Sequence, residues 1–414
     1  MKVAILGSGG REHTLAWKFA QSLGEENVFV LPGNGGTNNN IAIGVNEFDK
    51  IKSFCEKEEI ELIFVGPEDP LVNGIVDYFE SSPIRIFGPD KQAAQLEGSK
   101  IFAKKFMGKY GVATADFKEF NDMDASASYI RELGGNLVIK YDGLAAGKGV
   151  YVCSAVDEAL NAVNEIIEKY GSDARWLIEE KLTGQEISII GFTDGKDIQL
   201  LLPSQDHKPA YDGDKGPNTG GMGAYCPVPF CDDALVEKIK NTIVNPTLDG
   251  LKGEEFNYKG IVYFGIMMSH NGPKLLEYNV RFGDPETEVL LPSLKSDIAG
   301  LVNSCFDGTL KDFQLEFNNG YFVDVVLASG GYPGSYKKGL EISGLDKVPQ
   351  DVIVFHAGTK NDNGKVLTSG GRVLNVVARD DTLAGAIKMA YQTCEVIKFD
   401  DMYYRKDIAK KGLL

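Results

Sequence analysis

Glu277, Asn279 and Arg281 alternate along one short segment, 275–281. In a strand, alternate residues face the same side. A carboxylate, a carboxamide and a guanidinium are therefore predicted on one face. The first two suit Mg²⁺, a hard cation that takes few protein oxygens and keeps phosphate oxygens among its ligands. The guanidinium would neutralise charge on a transferring phosphoryl group. A surface salt-bridge strand is the plainer alternative, but the apolar residues leading in fit it poorly.

A second segment points to the same chemistry. Lys140 ends an apolar run, and Asp142-Gly143-Leu-Ala-Ala-Gly147-Lys148-Gly149 follows before the next strand-like run. A P-loop would need Ser or Thr after its Lys, and a helix next. Here Gly149 and a strand follow. The expected object is a flexible cradle of backbone N–H groups over nucleotide phosphates, with Lys140 as a fixed charge. Further on, an apolar run ends in Glu179-Glu180-Lys181-Leu182, with Glu186 close behind. Its backbone can offer a donor and an acceptor to an adenine edge, and Glu186 can accept from ribose hydroxyls.

Two glycine turns and one glycine loop complete the set. Gly7-Ser8-Gly9-Gly10-Arg11-Glu12 follows a strand and opens a helix, whose N-terminus favours anions. Glu12 stands where a dinucleotide fingerprint needs its third glycine. A phosphate or phosphosugar is thus better supported than a nicotinamide cofactor, and a simple tight turn stays open. Gly33-Asn34-Gly35-Gly36-Thr37 makes a second phosphate wall at the next strand end. The segment 206–223 mixes charge with five glycines in eleven residues, 213–223. Backbone there must approach something closely, unless the segment is a linker.

These residues need a frame. Strands at 2–6, 27–31, 61–65 and 84–87 alternate with helices at 11–21, 48–57 and 71–79. That order implies a parallel sheet covered on both faces, with ligands beyond the strands' carboxyl ends. A long helix at 91–110 comes next. A smaller α/β unit follows, with strands at 137–140, 150–153 and 176–180 and a helix at 157–170. The block 187–300 reads as strand-rich, with a helix near 232–248 and a strand pair at 260–269 and 274–279. Short strands and a helix at 382–391 close the chain.

Glycine makes up about 12% of the chain, 48 of 414 residues, against about 7% ordinarily. The excess clusters in the turns just described. A net charge of −16 argues against a nucleic-acid partner. No apolar run is long enough to span a membrane, and the apolar start is too short for a secretory leader. Six scattered cysteines without C-x-x-C spacing read as reduced thiols of a cytoplasmic protein. Four scattered histidines argue against a histidine metal site.

Together the motifs resemble the ATP-grasp ligases and, more narrowly, the glycinamide ribonucleotide synthetase family. The residues that carry the resemblance are Arg281-Phe-Gly-Asp-Pro-Glu-Thr-Glu288, Gly9-Gly10-Arg11-Glu12-His13, Pro32-Gly-Asn-Gly-Gly-Thr37 and Asn218-Thr-Gly-Gly-Met-Gly-Ala-Tyr225. The resemblance implies an α/β ATP-grasp fold with a Rossmann-like N-terminal domain (1–97). An ATP-grasp lid part (98–190), a larger ATP-grasp part (191–320) and a small α+β C-terminal domain (321–414) follow. It implies that Lys100 and Lys140 hold ATP phosphates under a lid of Asp142, Gly143, Gly147, Lys148 and Gly149. Glu179, Glu180, Lys181 and Leu182 would read adenine, and Glu186 the ribose. Glu277 and Asn279 would hold Mg²⁺ or Mn²⁺. Arg281 and Asp284 would lie at the reacting phosphoryl group and the glycine. Gly9, Gly10, Arg11, Gly33, Asn34, Gly35, Gly36, Thr37 and Asn218 would surround the phosphoribosylamine, with Asp212 and Asp214 as partners for an ammonium group.

The implied reaction joins glycine to 5-phosphoribosylamine through glycyl phosphate. The protein would be a monomer or weak dimer without the further enzyme domains that follow this ligase in animals. Other ATP-grasp ligases, a dinucleotide-binding oxidoreductase and a non-catalytic nucleotide sensor are the competing readings.

Overall fold

A computed structural model describes residues 1–145 and 149–413. Val3–Gly7, Val28–Pro32, Leu62–Val65 and Arg85–Pro89 pair in parallel, in the spatial order second, first, third, fourth. Their side chains are almost wholly buried because helices cover both faces. The sheet does not stop there. Tyr258–Ser269 pairs antiparallel to Arg85–Pro89, through Tyr258 opposite Pro89 and Lys259 opposite Gly88. Gln185–Thr193, Ile198–Leu200 and Gly272–Asn279 extend it to eight strands.

A separate four-stranded antiparallel sheet stands over that platform. Its order is Phe117–Phe120, Trp176–Glu180, Leu137–Tyr141, Val150–Val152. The helices Met123–Glu132 and Val156–Tyr170 supply its own core, with Ile130, Leu137, Ile139, Val163, Ile166, Trp176 and Ile178. A third sheet joins Gln205–Asp206 and Gly223–Cys226 to Tyr321–Ser329, Arg372–Asp380 and Val352–His356. Strands on both sides of residue 320 thus share one sheet.

Several elements depart from the sequence reading. The helix expected over 91–110 is two: Gln95–Gly98 and Lys100–Tyr110. Ser99 between them is extended, and its hydroxyl accepts from the Phe102 N–H as an N-cap. The helix expected over 71–79 is likewise Glu68–Val72 and Ile75–Tyr78, parted by Gly74 in the left-handed region. Near 232–248 the helix continues to Gly253 through a π segment, Lys240–Val244. Two helices, Glu286–Ser293 and Ile298–Asp307, lie where strands or loops were expected.

The turn at Gly9 and Gly10 is closed by the chain itself. Glu12 is buried, and its carboxylate accepts from the Gly9 N–H at 2.6 Å and from Arg11 Nε at 2.6 Å. A Cβ on Gly7 would stand 2.4 Å from Glu12 Cδ, and one on Gly66 would stand 2.1 Å from Glu12 Oε1. Glu12 therefore fills the space a pyrophosphate would enter. A Cβ on Gly10 would meet Asn375 Nδ2 at 2.3 Å and Glu288 Oε1 at 2.4 Å, both on buried side chains. Gly10→Ala should then lower stability by about 1–3 kcal/mol, as overpacking does. Chemical denaturation checks this, and an unchanged midpoint would show that these side chains move aside freely.

Candidate active site

A cleft of about 550 Å³ opens between the four-stranded sheet and the strand Gly272–Asn279. It gathers Arg11, Lys100, Lys140, Gly149, Glu179, Glu180, Lys181, Leu182, Glu186, Asn218, Glu277, Asn279, Arg281 and Asp284 from the sequence-derived set. Nine carboxylates and eight cations line it, so the cleft is near neutral in a chain of net charge −16. How those charges pair decides what they can do.

Lys140 and Lys104 both contact Glu179 Oε2, each at 3.1 Å. Lys140 also donates to the Leu276 carbonyl at 3.0 Å. Burial pulls the Lys104 ammonium down to about 8, against the attraction of Glu179. The second oxygen of Glu179, Oε1, is buried and has no partner among the described residues. Glu179 is thus first a counter-ion, a role that spacing could not show because Lys104 lies 75 residues away. Lys100 donates to the Gly143 carbonyl at 3.0 Å and has no carboxylate within ion-pair distance among the described residues. Next to the adenine-reading expectation, the backbone groups of Lys181 and Leu182 meet no protein partner among the described residues. Glu186 pairs with Lys208 at 3.0 Å.

Glu277 faces the cleft from its strand. No hydrogen-bond or ion-pair partner meets its carboxylate among the described residues. Burial opposes its ionisation, but Lys208, Lys140, Lys100 and Arg281 outweigh that and hold it below the usual carboxylate range. No group of three or more His, Cys, Asp or Glu suited to a metal occurs among the described residues. A free carboxylate plus Asn279 therefore fits a hard cation that arrives with phosphate oxygens, not one caged by protein.

Arg281 lines the cleft beside Asn279, its Nη2 donating to Asn279 Oδ1 at 3.4 Å. It was expected to share that face as a free charge for the phosphoryl group. Its Nε instead meets Glu68 at 3.1 Å and its Nη2 meets Glu97 at 2.7 Å. Its Nη1 donates to the Phe282 carbonyl at 3.2 Å. The strand ends at Asn279, and Arg281 beyond it reaches the cleft as a charge paired with Glu68 and Glu97. Glu97, missed in the sequence, also accepts from the Val280 N–H at 2.7 Å.

Burial pushes Glu97 up to about 7, against the pull of Arg281. The folded protein therefore keeps a proton that the unfolded chain releases near 4.5. This contribution to stability is complete below about 4.5 and is lost as pH rises toward 7. Glu97→Gln should flatten the fall in stability over that window, measured by thermal unfolding at pH 5, 6 and 7. An unchanged pH dependence would assign the titration elsewhere.

Other expected residues are held mainly by protein partners. Asp142 accepts from Ser99 Oγ at 2.8 Å, the Ile101 N–H at 3.1 Å and Arg175 Nη2 at 2.6 Å. It anchors the loop to the start of Lys100–Tyr110. Gly143 offers its carbonyl to Lys100, and Gly149 lines the cleft. Gly147 and Lys148 lie outside the described residues. Four N–H groups of the second glycine turn are engaged: Gly33 with the Gly7 carbonyl, Asn34 with Thr37 Oγ1, Gly35 with the Thr359 carbonyl and Gly36 with Asn34 Oδ1. The Gly9 N–H is likewise engaged, by Glu12. Asp212 accepts from the Lys406 N–H, and Asp214 pairs with Arg405 at 2.9 Å. Both therefore serve the contact with the chain's end and line no part of the cleft.

Comparison with known proteins now bears directly on the cleft. Family models for phosphoribosylglycinamide synthetase match residues 1–97 (N domain), 98–287 (ATP-grasp domain) and 322–411 (C domain). The chain belongs to the phosphoribosylglycinamide synthetase family. It is an ATP-grasp ligase. The phosphoribosylamine–glycine ligase of Halalkalibacterium halodurans is 46% identical over 100% of this chain and 97% of its own. The human trifunctional purine biosynthetic protein adenosine-3 is 47% identical over all of this chain but only 42% of its own length. Among solved structures, the phosphoribosylamine–glycine ligase of Thermotoga maritima superposes with a TM-score of 0.85 at 36% identity, covering 98% of this chain and 100% of that one. Biotin carboxylase of Campylobacter jejuni, at 14% identity and a TM-score of 0.73 over 97% of this chain and 93% of its own, shares the fold. In this chain the cleft lies where the four-stranded sheet faces the strand that carries Glu277 and Asn279.

Proposed function

We propose that the cleft joins glycine to 5-phosphoribosylamine with ATP as the energy source. The observation that carries this reading is the Glu277 carboxylate, which meets no partner among the described residues and stands among the cations Lys100, Lys140 and Lys208. That arrangement suits a metal-bound polyphosphate. A carboxylate is a poor electrophile because oxide would have to leave. Transfer of the γ-phosphoryl group to glycine gives glycyl phosphate, from which phosphate departs when the amine attacks. Little covalent work falls to the protein, so positioning and charge neutralisation dominate.

The residues divide that labour. Lys100 and Lys140 orient the phosphates, and the 142–149 loop excludes water that would hydrolyse the acyl phosphate. The open backbone of Lys181 and Leu182 takes the adenine edge, and the buried Glu179 Oε1 accepts a further donor there. Glu277 and Asn279 hold Mg²⁺ or Mn²⁺, which supplies Lewis-acid neutralisation of the phosphate oxygens. Arg281, tied to Glu68 and Glu97, contributes a fixed positive field and positions the Asp284 segment. We place the work in the cytoplasm, in a monomer or weak dimer, with no nucleic-acid or membrane partner. Among the described residues, no helix is long and apolar enough to cross a membrane.

The test is ADP release that requires both glycine and phosphoribosylamine. Equal release with bicarbonate or D-alanine in place of glycine would overturn the assignment.

A further inference from the structure

The N–H groups of Gly9, Gly33, Asn34, Gly35 and Gly36, in the turns expected to hold the anionic acceptor, are satisfied by the chain itself. An anionic substrate group in the cleft also calls for a cation to meet it. Among the residues lining the cleft, Arg372 is the one drawn from beyond residue 320. It opens the strand Arg372–Asp380, and nothing in its local sequence marks it.

Its hydrogen bonds are lopsided. Nη1 meets Asp284 Oδ1 at 3.0 Å, the Asp284 carbonyl at 2.8 Å and the Gly220 carbonyl at 2.9 Å. Nη2 and Nε meet no acceptor among the described residues. Neither belongs to the buried atoms that lack a partner, so solvent reaches them. Gly220 lies against the guanidinium plane, because a Cβ there would stand 2.8 Å from Arg372 Cζ and 2.9 Å from Nη2. The plane is therefore fixed in orientation by Gly220 and Asp284, with its Nη2–Nε edge unoccupied. A fixed fork of N–H donors matches two oxygens of a carboxylate or a phosphate.

We propose that Arg372 binds an oxyanion of a non-nucleotide substrate: the carboxylate of the amino acid or the phosphate monoester of the amine. This rests on the ligation reading above. It gives the C-terminal sheet a direct part in substrate binding, beyond supporting the cleft from behind.

Steady-state kinetics of Arg372→Gln and Arg372→Lys test it, with KM measured separately for glycine, phosphoribosylamine and ATP. Arg372→Gln should raise KM about 30-fold or more for glycine, for phosphoribosylamine or for both, with the ATP value within about threefold. A rise for glycine identifies the carboxylate, and a rise for phosphoribosylamine identifies the phosphate. Arg372→Lys keeps the charge without the fork and should recover part of the loss. If Arg372→Gln is too slow to assay, equilibrium dialysis with labelled glycine and with ribose 5-phosphate reads the same split. Unchanged values for both non-nucleotide substrates would overturn the proposal. So would a parallel rise for all three, which would leave Arg372 only bracing Asp284 and Gly220. A wild-type protein without glycine-dependent ADP release would instead refute the ligation reading, so the two failures are separable.

Discussion

Glu277→Gln is expected to lower kcat/KM for metal-dependent ATP turnover by about 10²–10³-fold, or about 2.7–4 kcal/mol of transition-state stabilisation. The substitution keeps the shape and one oxygen, so what it removes is charge. That charge has no protein partner among the described residues, and the cations around it belong to Lys208, Lys140, Lys100 and Arg281. Folding should suffer little, because the amide avoids the burial cost of the carboxylate, although it gives up the attraction of the cations that keeps Glu277 ionised. The defect should therefore be one of metal and phosphate handling. It should be deepest at limiting Mg²⁺ and shrink as Mg²⁺ is raised, with the thermal midpoint nearly unchanged. Wild-type activity at limiting Mg²⁺ would refute the ligand role. A large drop in melting temperature would show that Glu277 supports the fold.

What was legible in the sequence was local. The helix Phe48–Lys57 and the strand Trp176–Glu180 follow the expected limits because their apolar spacing and end signals lie within a few residues. The placement of Glu277 and Asn279 on one strand facing the cleft was legible for the same reason. The helix Glu286–Ser293 was not, because all eight of its residues are buried and no polar face marks a 3.6-residue period. Nor were the partners of charged groups. Arg281 finds Glu97 and Glu68, Arg372 finds Asp284, and Glu179 finds Lys104, all across long stretches of chain. Glycine at 7, 9, 10 and 33–36 does signal a close approach, but what approaches includes the chain's own Glu12, Asn34, His13 and His356. A sequence shows that backbone must be reached closely; it does not show whether protein or ligand does the reaching.

Glu179→Ala should be among the most destabilising single changes in the lid. Glu179 and Lys104 are each 2% exposed, and Lys140 is 8% exposed. Removing the carboxylate strands two ammonium groups out of water, which costs about 3–5 kcal/mol when a buried pair is broken. The same physics fixes the pH dependence. Lys104 already sits near 8 because burial disfavours its charge while Glu179 defends it. Without Glu179 it falls further, so the folded variant sheds that proton at a lower pH than the wild type does. An amine depressed in the folded state adds stability as pH rises from its folded value toward 10.5. In the variant that gain begins earlier, and the gap between variant and wild type in denaturant unfolding should narrow from pH 7 to pH 9. Adding Lys104→Met should recover part of the loss at pH 7, because it removes one stranded cation and keeps its volume. A gap that stays constant with pH, together with no recovery in the double variant, would mean that water or a rearranged side chain replaces Glu179. The ion-pair account of the lid would then be wrong, and the Glu179 carboxylate would be left to its second oxygen and the nucleotide.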